Sequence, residues 1–270
     1  MLIKDILVYI DSDSACENRL RTAVGLCNET NAHLTGLYVQ RRLMVPAYVG
    51  AYIPPEVFEA NSKEIEEIRH KTHSTFTQRI DTAGVSGELV VSDSDTGAAL
   101  NMHSRYTDVM LLPQRATDEF DLNPYYELPS ALLHSACPVM MVPRTKLPTL
   151  PIKRVLLGWS GGRECARAMQ SAISLFPDME NIDVVSVDSD VTKASDIALH
   201  ISRHGFNCEV HMVDGSHADA GAVLLDKAQS LESDMLVMGA YGHSRLRELV
   251  IGGVTQHVMN NATLPVLFSH

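Results

Sequence analysis

Short, wholly apolar runs recur along this chain, and between them the apolar positions fall three and four residues apart. Ile6-Leu7-Val8-Tyr9-Ile10 is the first such run, and it suits a strand buried on both faces of a parallel sheet. Leu20, Ala23, Val24 and Cys27 then lie on one face of a helix predicted over about 15–29. The pattern continues with a strand at 33–39, a proline-bearing loop, a long helix at about 55–83 and a strand at 88–91. A helix at 95–104, a strand at 108–112, a loop, a short helix from about 129 and a strand at 139–142 follow. Strands that alternate with helices favour right-handed βαβ crossovers and a mostly parallel sheet.

The pattern is then repeated. Lys4-Asp5-Ile6-Leu7-Val8 is echoed by Lys153-Arg154-Val155-Leu156-Leu157, and Asp108-Val109-Met110-Leu111-Leu112 by Asp234-Met235-Leu236-Val237-Met238. Cys137-Pro138-Val139-Met140 is matched by Leu264-Pro265-Val266-Leu267, and the helix from Glu17 by one from Glu164 to Phe176. The second copy has a shorter second helix, roughly Lys193 to His204. Two tandem α/β units of Rossmann-like type, each with a mainly parallel five-stranded sheet, are predicted at 1–143 and 152–270. Pro143, Pro148 and Pro151 mark a short linker that would hold the copies side by side as an internal pseudo-dimer.

Composition narrows the partners. A net charge of −11 over 270 residues, with no basic tract to offset it, argues against a nucleic-acid surface. No apolar run is long enough to cross a bilayer, and the first strand carries charge where a signal peptide would not, so a cytoplasmic protein is expected. Five well-separated cysteines without a CxxC pair suit reduced core thiols.

The candidate chemistry lies late in the chain. Met235 to Met238 form a buried strand that ends at Gly239; Gly242 follows, then Gly252 and Gly253, and Val254 to Met259 read as the opening turns of a helix. Glycines allow close backbone approach, and a helix start presents unpaired N–H groups and the positive end of a dipole, so this arrangement can cradle a phosphate. The alternative is that the glycines only make turns at the end of a sheet. The spacing Gly239-x2-Gly242-x9-Gly252 resembles the ATP-binding motif of the universal stress proteins, in which the third glycine is followed by Ser or Thr. Gly253 stands at that hydroxyl position, and Thr255 is a replacement two residues on.

The resemblance implies a fold like that of the adenine nucleotide alpha hydrolases and a second unit that binds ATP, ADP or AMP, with or without Mg, in a regulatory stress-response role. It implies binding residues Trp159, Ser160, Val187, Met238, Gly239, Gly242, His243, Gly252, Gly253, Val254 and Thr255. Trp159 either walls the base or packs into the core, and Val187 takes the apolar position beside the base. The family's acidic residue after the first strand is kept as Asp11 in the first copy and replaced by Ser160 in the second. His243, Arg245 and Arg247 place positive charge on the glycine loop, whereas Asp118, Glu119 and Asp121 would repel phosphate in the first copy. The first site therefore reads as degenerate.

No P-loop lysine, dinucleotide fingerprint, nucleophile elbow or H-E-x-x-H is present, so neither catalytic nor metal residues are assigned. His200 with His204, and His70 with His73, read as exposed helix histidines. Two rival readings remain: an interaction scaffold acting through its closing strands, and a slow ATPase or hydrolase of adenylated substrates. A homodimer of the whole chain is a further option.

Overall fold

The computed structural model describes residues 3–40, 54–114, 128–187, 191–214, 219–240 and 252–270. Ten strands form a single sheet: β1 (Asp5–Ile10), β2 (His33–Val39), β3 (Gly87–Ser92), β4 (Val109–Pro113), β5 (Val139–Val142), β6 (Arg154–Gly158), β7 (Asn181–Val187), β8 (Asn207–Val213), β9 (Met235–Gly239) and β10 (Val266–Ser269). Their order across the sheet is β3-β2-β1-β4-β5-β10-β9-β6-β7-β8. Every pairing is parallel but one. At the centre β5 and β10 run antiparallel, with Val139, Met140 and Met141 opposite Phe268, Leu267 and Val266. The two predicted five-stranded sheets are thus one continuous surface, joined through the last strand of each half.

Eight α-helices are described, and they alternate between the faces of this sheet. On one face pack α1 (Cys16–Thr30), α2 (Pro55–Ala83), α5 (Arg163–Leu175) and α6 (Val191–Arg203), burying Leu20, Phe76, Met169 and Ile201 among others. On the other lie α3 (Thr96–His103), α4 (Leu128–His134), α7 (Ala220–Ser230) and α8 (Gly253–Asn261), with Leu100, Leu132, Leu224 and Val258 facing inward. Coverage on both sides is why the central strands carry continuous apolar runs; β4 is buried along its whole length. Local signals set the helix ends: α2 starts with Pro55 in its first turn and stops at Gly84 in the left-handed region, and α1 stops at Asn31 in the same conformation.

The sequence repeat has a mechanical basis. Asp108 Oδ2 accepts the main-chain N–H groups of Lys4 and Asp5 at 2.7 and 3.0 Å, and Asp234 Oδ2 accepts those of Lys153 and Arg154 at 3.0 and 2.8 Å. In each half one aspartate before the fourth strand fastens the start of the first. The linker is fastened too: Asn18 Nδ2 donates to the Arg144 carbonyl, and Arg144 pairs with Asp13.

Gln114 was not singled out by pattern, yet it ties the two halves together. It is buried; its Nε2 donates to the Ala262 carbonyl at 2.8 Å, and its Oε1 accepts from Arg144 N at 3.1 Å. Gln114→Leu would leave a carbonyl and an N–H unmatched inside the protein, and it should lower unfolding free energy by about 2 kcal/mol. Urea titration checks this. An unchanged midpoint would mean that neither group depends on Gln114.

The cysteines are free, and the thiols of Cys27 and Cys137 are pushed up to about 12 by burial, so both stay protonated at neutral pH. His70 and His73 are exposed on α2 and His200 on α6, and His204 is exposed in the turn just past the end of α6. No described helix is long and apolar enough to cross a membrane.

Candidate functional site

In the second half the chain leaves β6 toward β7 but leaves β9 toward β10, so the connections part between two neighbouring strands. A crevice opens beyond the carboxyl ends of strands at such a switch in order. Here it is a cavity of about 340 Å³, the size of a small-molecule site. The ends of β6, β7 and β9, the first turn of α5 and the first turns of α7 and α8 enclose it.

Nine of the eleven residues singled out from sequence line this one cavity: Trp159, Ser160, Val187, Met238, Gly239, Gly252, Gly253, Val254 and Thr255. Gly242 and His243, with Tyr241, Arg245, Arg247 and Glu248, lie outside the described residues. The same holds for Asp118, Glu119, Asp121, Tyr125 and Tyr126 of the first half.

The glycines do different work. A Cβ on Gly239 would stand 2.5 Å from Cys165 N and 2.7 Å from the Glu164 carbonyl carbon, so this glycine lets the start of α5 sit on the end of β9. That close approach is internal, and Gly239 also borders the cavity. Gly252 and Gly253 are the opposite case: a Cβ on either meets nothing within 4 Å among the described residues. Gly252 caps α8 with φ −58° and ψ 140°, a conformation open to any residue. Neither backbone geometry nor internal packing calls for glycine there.

Gly252 supplies no side-chain cap, and the first main-chain bond of the helix runs from Gln256 N to the Gly252 carbonyl at 3.0 Å. The N–H groups of Gly253, Val254 and Thr255 therefore have no earlier carbonyl within the helix, and their residues border the cavity. Thr255 is buried.

Trp159 is fixed by its main chain. Its N–H donates to the Val185 carbonyl at 2.9 Å, and its carbonyl accepts from Ser186 Oγ at 3.0 Å. The ring is partly buried against the core, and its Nε1 is buried with no hydrogen-bond partner among the described residues. Trp159 thus borders the cavity and also packs on the core.

The sequence reading missed Glu164. It reads as a favourable acid in the first turn of a helix, which an exposed residue would satisfy. Yet it is only 7% exposed and lines the cavity. Burial raises its pKa; a hydrogen bond from Arg163, one from its own N–H, and attraction to Arg163 and His270 outweigh that and hold the carboxyl below its ordinary range. Arg163 Nε lies 2.7 Å from Oε1. Among the described residues that line the cavity, none is a lysine or an arginine.

The first half is arranged differently. Asp11 forms an ion pair at 2.9 Å with Arg19, which is buried and also donates to the Tyr9 carbonyl. At the position of Gly239 stands Pro113, the last residue of β4. Elsewhere, Asp183, Glu209 and His211 on β7 and β8 bring three possible ligand atoms within 4.8 Å of one another, with His211 Nε2 2.8 Å from Asp183 Oδ1. Sequence reading assigned no metal residues, and this cross-strand pair sits on the far strands of the second half.

A ten-stranded, mostly parallel α/β sheet with a crevice at a switch in strand order defines a Rossmann-like protein. Residues 188–270 match the model of the Universal stress protein family. A curated relative, the universal stress protein Slr1230 of Synechocystis, is 31% identical over 123 residues. That match spans 43% of this chain and 42% of the relative, so under half of either length is aligned. The solved universal stress protein of Archaeoglobus fulgidus DSM 4304 superimposes with a TM-score of 0.71 at 15% identity, covering 97% of this chain and 95% of that one. A functionally unknown protein of Pseudomonas aeruginosa PAO1 gives 0.58 at 17% identity, with 98% and 92% covered. At such identities these two likenesses establish the fold over both halves.

Proposed function

We propose that the cavity at the ends of β6 and β9 binds an adenine nucleotide and that this binding is the regulatory input of a stress-response protein. One observation carries the reading: among the described residues, Gly252 and Gly253 leave open space at a helix start without a side-chain cap, and none of those residues requires glycine there. A phosphate there would accept the free N–H groups of α8 and meet the positive end of its dipole. Val187, Met238 and Trp159 supply the apolar wall for a base. ATP, ADP and AMP are all candidates, with Mg on the phosphates when present.

In this proposal residues 1–143 form a unit whose own site is degenerate and 152–270 form the binding unit. The ion pair of Asp11 with Arg19 supports that asymmetry, because it engages the acid that would otherwise face a nucleoside. A cytoplasmic setting, and the glycine loop including Gly242 and His243 as part of the site, belong to the same proposal. The scaffold alternative finds less support, since the closing strands through which it would act are paired with each other. The ATPase or hydrolase alternative has no specific observation in its favour.

Mass spectrometry of small molecules released from freshly purified, heat-denatured protein tests the proposal, backed by calorimetry with ATP and AMP. A stoichiometric adenine nucleotide, or a saturable heat with either ligand, is expected. Absence of both would remove the reading.

A further inference from the structure

The feature that the proposed phosphate cradle leaves unexplained is the buried, ionised carboxylate in the same cavity. Glu164 Oε1 is taken by Arg163. Oε2 stands 3.1 Å from the point where a Cβ on Gly162 would lie, and Ser160 Oγ is 3.5 Å from that same point. The free carboxylate oxygen and the serine hydroxyl therefore lie on one side of the Gly162 turn, and both residues line the cavity. A carboxylate can only accept hydrogen bonds, and burying one without donors is costly. Its low pKa keeps it an acceptor at neutral pH.

An occupant that donates hydrogen bonds and carries no negative charge at that end suits the side of the cavity beside Glu164. An adenine base offers one amino group, and a phosphate offers only repulsion. A vicinal diol offers two adjacent hydroxyls, one to donate to Oε2 and one to meet Ser160 Oγ. We infer that Glu164, assisted by Ser160, receives the ribose 2′- and 3′-hydroxyls and so makes the site select ribonucleosides. This inference rests on the proposed nucleotide reading and assigns the sugar within it. The phosphates then run away from Glu164 toward Gly252 and Gly253, which fixes the polarity of the ligand in the cavity.

The test compares AMP with 2′,3′-dideoxy-AMP by calorimetry on the whole chain, in the unchanged protein and in Glu164→Ala and Glu164→Gln. Hydrogen bonds to a charged group are worth about 1.5–3 kcal/mol, so the unchanged protein should prefer AMP by about 10- to 100-fold. That preference should fall to about twofold in Glu164→Ala, by the same accounting. Glu164→Gln keeps the volume and packing, and should lie between the two. Because the carboxyl is held below its ordinary range, discrimination by the unchanged protein should stay flat from neutral pH down to pH about 5, near the top of the ordinary carboxylate range. If the unchanged protein binds neither ligand, the nucleotide reading itself is wrong. If it binds AMP and both variants keep the full preference, the nucleotide reading stands and the role of Glu164 is overturned.

Discussion

Gly252→Leu should weaken adenine-nucleotide binding by about 100-fold, the loss of roughly two hydrogen bonds to a charged phosphate at 1.4 kcal/mol per tenfold. The fold should hardly notice. A Cβ at this position meets no atom of the described residues within 4 Å, and φ of −58° suits leucine as well as glycine. What changes is that a branched side chain fills the hollow over the free N–H groups of α8. Replacing glycine at a helix cap costs up to about 1 kcal/mol, so the melting temperature should shift by only a few degrees. Calorimetry with AMP and a thermal melt on the same preparation give both numbers. Unchanged affinity beside an unchanged melt would place the ligand, if there is one, somewhere other than the start of α8.

Gly239→Val should do the reverse, destabilising the protein by about 3 kcal/mol, the upper end for overpacking in a close-packed interior. The new Cβ would press on the main chain of Cys165 and Glu164 at 2.5 and 2.7 Å, and backbone cannot rotate aside as a side-chain tip can. For a chain of this size the melting temperature should fall by about 6–12 °C. A melt equal to that of the unchanged protein would show that α5 is not seated on Gly239. The pair of variants separates two uses of glycine that one spacing pattern conflates: one position admits a helix, and the other, in the proposed reading, admits a ligand.

How far the sequence reaches follows from the kind of signal each residue gives. Strands such as Met235–Gly239 and helices such as Pro55–Ala83 are legible because burial on two faces and a proline–glycine frame are local properties. The repeat of Asp108 and Asp234 is visible as pattern, although its reason is a bond across 104 residues to Lys4, which no window of sequence contains. Gln114 and Glu164 were missed for the same cause. A glutamine after a strand and a glutamate in a first helical turn are ordinary in isolation. Only the placement of Ala262 beside one, and of the crevice beside the other, gives them work. The merging of two sheets into one was equally illegible, since Val139 and Val266 read as closing strands whether or not they meet.

That central seam has a consequence for how such a chain can be cut or built. Either half made alone would present its last strand, Val139–Val142 or Val266–Ser269, as a bare, largely apolar edge with its hydrogen-bonding groups unsatisfied. The simplest remedy for such an edge is another copy of the same strand in antiparallel register. A lone half is thus a building block waiting for its twin, and this chain carries that twin in its own polypeptide.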